Sequence, residues 1–323
     1  MTATLVKKNP PTADTRTTAV RGPQPKRANR FSGTWFVLPV VLFVAVLYLY
    51  PLVRNVILSF QDYGIASLYT GDASFNGLAN YRRLLSDPVF HTAVMNTVVF
   101  TLGSLFFQFT IGLALAEFFR RSFPLSRVLR SLLLVPWLLP LVVSGTVFRW
   151  MLDTSNGVVN QLLTSLHLVQ DPVPWLNDPT NAMISVLLCN IWIGVPFNMV
   201  ILYGGLQSVP GELYEAAALD GAGRTRQFWH ITLPQLRPVI AIVLTLGLIY
   251  TLKVFDVIWV MTKGGPANAT HTVTTYAYQL SFGGLGEFGL GAAGGNVLIV
   301  IALLCSLVYL RSARAETGGH HGR

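Results

Sequence analysis

Asn190, Gly194 and Phe197 are spaced i, i+4 and i+7, which puts an amide, a gap and a ring on one helical face. Gly247, Tyr250 and Thr251 repeat the pattern further along the chain, with a phenol ring and a hydroxyl beside a second glycine. Rings stack against the C–H faces of a solute, while amides and hydroxyls bond to its hydroxyl groups. Two such faces turned toward each other suit a polyhydroxylated solute such as a sugar. Glycine and asparagine are also the residues with which membrane helices pack, so helix packing stands beside this reading. Lys253 and Asp256, three residues apart, suit mutual neutralisation, and Arg149 suits a contact with lipid headgroups. Cys189 and Cys305 lack a CxxC partner and read as small packing residues, while His167, His320 and His321 offer no metal-ligand spacing. No HExxH, no GxSxG and no carboxylate pair set for acid–base work occurs, so the chain reads as a non-enzyme.

The elements that must carry these residues are bilayer-spanning helices. Hydrophobic residues make up 52% of the chain and charged residues only 11%, against about 25% charged in soluble domains. Water cannot cover such a surface; lipid must. A spanning helix needs about 20 apolar residues, and six runs qualify: 35–57, 93–118, 132–150, 183–206, 238–261 and 290–310. The two polar faces lie in the fourth and fifth runs. At about 1.5 Å per residue, Gly194 and Tyr250 both fall near mid-bilayer. Pro136 and Pro140 interrupt the third run, which marks a helix facing protein, where neighbours satisfy the freed carbonyls. The first run is too long for a signal-peptide core and reads as an uncleaved span.

The net charge of +9 sits at the ends of these runs, as membrane topology requires, and not along one face as nucleic-acid binding would. Lys7, Lys8, Arg16, Arg21, Lys26, Arg27 and Arg30 precede the first run, and Arg120, Arg121, Arg127 and Arg130 follow the second. Arg224, Arg226 and Arg237 lie between the fourth and fifth, and Arg311, Arg314 and Arg323 close the chain. Only Arg82, Arg83 and Lys263 fall on the other side. This asymmetry puts both termini in the cytoplasm. The expected layout is a basic, disordered cytoplasmic tail over 1–34, a membrane domain over 35–312 and a cytoplasmic tail over 313–323.

The segment 208–236, between the fourth and fifth runs, is the most informative. Ser208 and Pro210 open a short helix from Leu213 to Asp220, Gly221 and Gly223 end it, and a second short helix holds Phe228 and Trp229 before Pro234. Small Ala216 and Ala217 beside the Glu215 carboxylate would let another surface approach closely; an amphipathic connector lying on the membrane is the plainer alternative. The run from Glu215, Ala216 and Ala217 through Asp220, Gly221 and Gly223 to Ile231, Leu233 and Pro234 resembles the EAA loop of ATP-binding-cassette importer permeases. Phe255-Asp256, the stretch 261–270, Asn96-Thr97 and Asn160 resemble the MalF-like permeases of carbohydrate importers.

That resemblance, covering roughly 35–312, implies an all-α, MetI-like type I importer fold with six transmembrane helices and cytoplasmic coupling helices. It implies that residues 215–223 dock into an ATPase subunit. Positions that contact sugar in the maltose-importing members correspond to Asn190, Ile193, Gly194 and Phe197 and to Gly247, Tyr250, Thr251 and Val254. The chain lacks the two extra spans and the large periplasmic insertion of the maltose permease. The implied partners are a second, MalG-like permease, two ATPase subunits and an extracytoplasmic substrate-binding protein or lipoprotein, in the cytoplasmic membrane of a bacterium. No GxxxxGK[ST] loop occurs and none of the five lysines follows a glycine, so the chain holds no cofactor; ATP and magnesium belong to the partner ATPase. An ion-gradient-driven secondary transporter is the rival, for which an internal repeat would be expected. A permease for a non-sugar solute such as glycerol phosphate is the nearer alternative.

Overall fold

The computed structural model describes residues 30–121 and 123–318, so positions 1–29 of the expected basic head and 319–323 of the tail lie outside the described residues. The chain divides into two compact units, Met1–Leu52 and Val53–Arg323, and the site belongs to the second. Among the described residues the protein is helical apart from one antiparallel pair of two-residue strands, Gln61–Asp62 and Ser74–Phe75. Four helices are long and apolar enough to cross a bilayer: α1 (Val37–Ser59), α2 (Pro88–Phe119), α5 (Pro179–Gln207) and α7 (Arg224–Leu252). Between them lie α3 (Ser126–Leu138) and α4 (Leu141–Met151), a pair that makes a fifth span when counted together. The short helices α6 (Gly211–Leu219), α8 (Asp256–Met261) and α9 (Val273–Phe282) follow, and the sixth expected run lies in α10 (Phe288–Gly318). The apolar stretch of α10 among the described residues is Phe288–Leu304, short of the ~20 residues of a full span.

The long helices begin by a shared device. Asp87 accepts a hydrogen bond from the backbone N–H of Val89, and Asp178 from those of Thr180 and Asn181, while Pro88 and Pro179 take the first helical position. Each aspartate satisfies donors that the helix itself cannot, and each proline sits where it has no bond to lose.

Two sequence expectations change in the structure. The third span is not one helix: α3 and α4 meet at a 95° bend. Pro140 disfavours helical geometry in the residue before it, and Leu139 is accordingly extended, with φ −72° and ψ 143°. Pro136, at the second position of its helical turn, goes with a milder interruption at Leu134, where the helical ladder ends and restarts while the backbone keeps helical angles. The separate second helix of the 208–236 segment also disappears. Phe228 and Trp229 belong to α7, which runs on through Pro234 and Pro238. A π turn over Phe228–Thr232 sits just before Pro234, and such a turn re-satisfies the backbone groups that a proline frees.

Packing follows from these lengths. At the end nearer the 208–236 segment, Ala116 and Phe119 of α2 meet Met199, Leu202 and Leu206 of α5 and Leu236 and Val243 of α7. Toward the other end, Phe100 joins Val186, Cys189, Ile193, Val257, Ile258 and Met261, so Cys189 is a packing residue. The side chain of Cys305 lies outside the described residues. Beyond the helix ends, Asn96 donates to the carbonyl oxygens of Ala269 and His271 at 2.8 and 3.0 Å, and Thr97 accepts from the Val273 N–H at 2.9 Å. Asn160 bonds Thr154, Val173 and Trp175 in the same manner. Asn96 is therefore a clasp that ties a connecting segment to the bundle, and Asn160 one that holds the 152–178 segment to itself.

His271 lies buried in one of these segments, against Thr275, the Tyr276 ring and the backbone of Gly264. Burial pushes its pKa down to about 4. The fold needs the neutral ring, so its contribution is fully present above pH 6.5, the unfolded value, and falls away as pH drops through about 4. Thermal melts of wild type and His271→Gln between pH 7.5 and 4 should show the wild type losing more of its melting temperature across that window. Parallel pH profiles would show that His271 is not the group responsible.

Candidate functional site

A cavity of about 410 Å³ opens among α2, α5, α7 and the break between α3 and α4. This is within the ~300–1,000 Å³ usual for small-molecule sites. All eight residues expected to line a solute path border it: Asn190, Ile193, Gly194 and Phe197 from α5, Gly247, Tyr250 and Thr251 from α7, and Val254 just past its end. Sequence reasoning missed Gln108, Trp137, Asn198, Lys253 and the 139–141 break, which complete the wall. Trp137 was legible only as an aromatic beside a proline. Gln108 carried one signal, an amide within an apolar run.

The backbone around the cavity is irregular, and irregular backbone at membrane depth is tolerated where it lines a cavity or is buried in protein. Leu139 and Pro140 are extended at one edge. At another, α7 ends at Leu252, and Lys253 and Phe255 have left helical geometry before α8 begins. The Leu252 carbonyl so exposed accepts a bond from the Thr274 hydroxyl at 3.2 Å. This break also undoes the expected pairing of Lys253 with Asp256, because the two no longer share a helix. Among the described residues Lys253 has no ion pair; its ammonium lies 5.0 Å from the centre of the Tyr250 ring. Arg149 donates to the Val260 carbonyl at 3.3 Å, tying α4 to α8, where a lipid contact was expected.

The glycines are not open gaps. A Cβ on Gly194 would fall 2.3 Å from Gln108 Cδ, and one on Gly247 would fall 2.7 Å from a Leu105 methyl. Gln108, buried, fills the first space and donates to the Asn190 carbonyl oxygen at 2.9 Å. The Asn190 amide donates in turn to the Ser104 hydroxyl at 2.8 Å, and Asn198 donates to the Gly194 carbonyl at 2.9 Å. One amide N–H of Gln108 and one of Asn190 are thus engaged, while their side-chain carbonyl oxygens accept no bond from the protein among the described residues. Three rings border the same cavity. Trp137 and Phe197 have centroids 5.6 Å apart, and Phe197 meets Tyr250 edge-on at 6.1 Å. Acceptor oxygens beside rings match a solute that brings hydroxyl donors and C–H faces.

At the loop end, α6 carries Glu215, Ala216 and Ala217, and Asp220 follows as its cap. Gly221 has φ +77°, and the Ala222 N–H folds back to the Ala217 carbonyl at 2.9 Å. Glu215, Ala216, Asp220, Gly221 and Gly223 are exposed, and Leu219 is 90% exposed. Ile231, Leu233 and Pro234 are partly covered in α7. The loop presents a small, partly apolar surface.

Residues 108–315 match the family described as "Binding-protein-dependent transport system inner membrane component", a range that holds the whole cavity wall and the loop. The sulfoquinovosyl glycerol transport system permease protein SmoG of Agrobacterium fabrum is 35% identical over 292 residues, covering 89% of this chain and 92% of that protein. The trehalose/maltose transport system permease protein MalF of Thermococcus litoralis is 33% identical over 282 residues, 87% of this chain and 93% of that one. The fold is that of a chain in the crystal structure of a bacterial alginate ABC transporter in complex with an alginate pentasaccharide-bound periplasmic protein. Its TM-score is 0.76 at 24% identity, over 89% of this chain and 95% of that chain.

Gly194 and Gly204 give a paired test of the cavity wall, since both lie inside α5 and only one is filled. Gly194→Ala should displace Gln108 and cost roughly 1–3 kcal/mol of stability. Gly204→Ala, which meets nothing within 4 Å, should be neutral or stabilising. Equal melting temperatures for the two variants of the purified protein would contradict this geometry.

Proposed function

The chain belongs to the family of inner membrane components of binding-protein-dependent transport systems, and we propose that it is the subunit forming half of the translocation pathway for a sugar or sugar-like solute in an ATP-driven importer. The observation that carries this is the cavity itself, whose wall brings the amide residues Gln108 and Asn190 together with the rings of Trp137, Phe197 and Tyr250 beside two breaks in the spanning helices. Sugars supply the matching donors and C–H faces. The relatives' names support the class: sulfoquinovosyl glycerol in one, trehalose and maltose in the other.

In this reading the chain hydrolyses no ATP and holds no cofactor; ATP and magnesium act in two partner ATPase subunits. A second, MalG-like permease supplies the other half of the pathway. An extracytoplasmic binding protein delivers the solute, a reading supported by the alginate transporter, whose structure includes a pentasaccharide-bound periplasmic protein. Both termini lie in the cytoplasm of a bacterial cell, with lipid around a membrane domain over 35–312 and polar tails over 1–34 and 313–323. Closure of the ATPase draws in the exposed loop, with Glu215, Ala216 and Leu219 outermost. The helices rock as rigid bodies and the cavity opens to the other side. Helices broken at Pro140 and at Lys253 let their two halves respond separately.

Trp137 and Tyr250, about half exposed, are the residues with which to test the cargo role, because removing them costs the fold little. Asn190 is less suited, since its amide also holds Ser104. Uptake by the assembled transporter in liposomes should show KM for the sugar raised about 5- to 30-fold in Tyr250→Ala, for a loss of one or two kcal/mol. Trp137→Ala should act in the same direction, with melting temperature and basal ATPase rate kept. A fall in melting temperature in step with uptake would make both residues packing groups. Gly221→Val tests the loop. A Cβ on Gly221 would meet no atom of this chain within 4 Å, so the strain within the chain comes from forcing a branched residue to φ +77°. It should uncouple ATP hydrolysis from uptake or prevent assembly; normal uptake would remove the loop from the mechanism.

A further inference from the structure

Helix α6, the exposed helix of the loop, packs extensively against no other helix among the described residues. Glu212, Leu213, Glu215, Ala216, Ala218 and Leu219 are all exposed. Tyr214 and Ala217 are half-buried, and Tyr214 is the one with side-chain bonds to other helices. Its hydroxyl is hydrogen-bonded at 2.9 Å to the hydroxyl of Thr232, which is 1% exposed in the π turn of α7. Its ring lies beneath the Arg120 guanidinium, 4.2 Å from the centroid, and Arg120 closes the end of α2 with Glu117 at 3.5 Å. Gln227 of α7 also donates to the Tyr214 carbonyl oxygen at 3.4 Å and to that of Ala222 at 3.0 Å. One residue therefore joins the loop helix to two spans at once, by its hydroxyl to α7 and by its ring to α2. Those two spans supply Gln108, Gly247, Tyr250 and Thr251 to the cavity wall.

We propose that Tyr214 is the positioning residue that carries displacement of the loop helix into α2 and α7, and through them to the solute cavity. The inference rests on the reading of the loop as the ATPase contact. Push and pull on an exposed, otherwise loosely held helix reach the membrane only through a fixed attachment. A hydroxyl bond to a buried threonine and a cation over the ring's face resist displacement along two directions. The ring alone, without its hydroxyl, would transmit to α2 and slip against α7.

The test uses the assembled transporter in nanodiscs, with Cys189 and Cys305 replaced by alanine and one reporter cysteine added at a time. Leu219→Cys reports on the loop surface and Val254→Cys on the cavity. The rate of modification by N-ethylmaleimide is measured with and without ATP and orthovanadate. With Tyr214 present, both reporters should change rate on trapping. In Tyr214→Leu the Leu219 reporter should still respond while the Val254 response disappears. In Tyr214→Phe and in the near-isosteric Thr232→Val, the Val254 response should fall by roughly 2- to 10-fold, the worth of one hydrogen bond. The two combined should lose no more than either alone. Full Val254 responses in all three variants overturn the proposal. Loss of both responses in Tyr214→Phe also overturns it, because the residue would then serve docking or folding. If neither reporter responds with Tyr214 present, the ATPase-contact reading itself fails, which separates the two failures.

Discussion

In hydrocarbon, a backbone N–H or C=O without a partner costs several kcal/mol, and this constraint governs where the protein is regular and where it is not. Most of the spanning backbone is helical, so it satisfies itself. The two departures, at Leu139–Pro140 and at Lys253–Phe255, both border the cavity. The Thr274 hydroxyl meets one of the carbonyls freed there. A chain that needs a solute space at mid-depth can open one where its helices stop and restart, since unbroken helices pack side chain to side chain and close it.

The same constraint explains the polar side chains inside the bundle. Gln108, Asn190, Ser104 and Asn198 form a seam between α2 and α5, in which each of the three amides donates to a neighbour. A buried amide has four hydrogen-bonding positions. One N–H of Gln108 and one of Asn190 bond across the seam, and both residues also border the cavity. The arrangement is compatible with both of the roles that the sequence left open, helix packing and solute contact. The Gln108 and Asn190 bonds hold α2 to α5, while that of Asn198 stays within α5.

How much of this was readable in advance depends on which physical quantity each feature rests on. Span positions rest on apolar length, a local property, and α2 and α5 fall where the runs predicted; α7 begins at Arg224 and ends at Leu252, where the run was 238–261, because polar residues joined it at one end and a break cut it at the other. The eight cavity residues rested on helical spacing together with a family resemblance, and all eight share one wall. Gln108 was not legible, because its role depends on facing Gly194 across a helix interface, and residues 86 apart in sequence carry no mark of that approach. The Lys253–Asp256 pair failed for a related reason. Its spacing implied contact only if the helix continued, and the end of α7 at Leu252 is set by tertiary contacts such as the Thr274 bond. Pro140 was legible as an interruption, and the extended Leu139 gave it its form. Pro136, with equal chemistry, goes with only a one-residue interruption of the ladder at Leu134, because a proline near the start of a helical turn has no bond to forfeit.

The two functional regions are linked by one element. Thr232, in the turn beside the exposed loop, and Tyr250, in the cavity wall, both belong to α7, and the 18 residue steps from one to the other span roughly 27 Å. Pro238 lies on the way, yet the helix continues through it. A continuous helix is stiff along its axis, so a shift at one end reaches the other with little lost to internal rearrangement. Beyond Leu252 the helix stops, and α8 is held by a different set of neighbours, α4 through Arg149 and α5 through the cluster around Val257 and Ile258. Motion delivered along α7 therefore reaches the cavity and meets a discontinuity there. The cavity can change shape while the far side of the bundle, clasped by Asn96, stays in place. A break at that depth converts displacement of a rigid rod into opening of a space, which an unbroken span would pass on to the opposite surface.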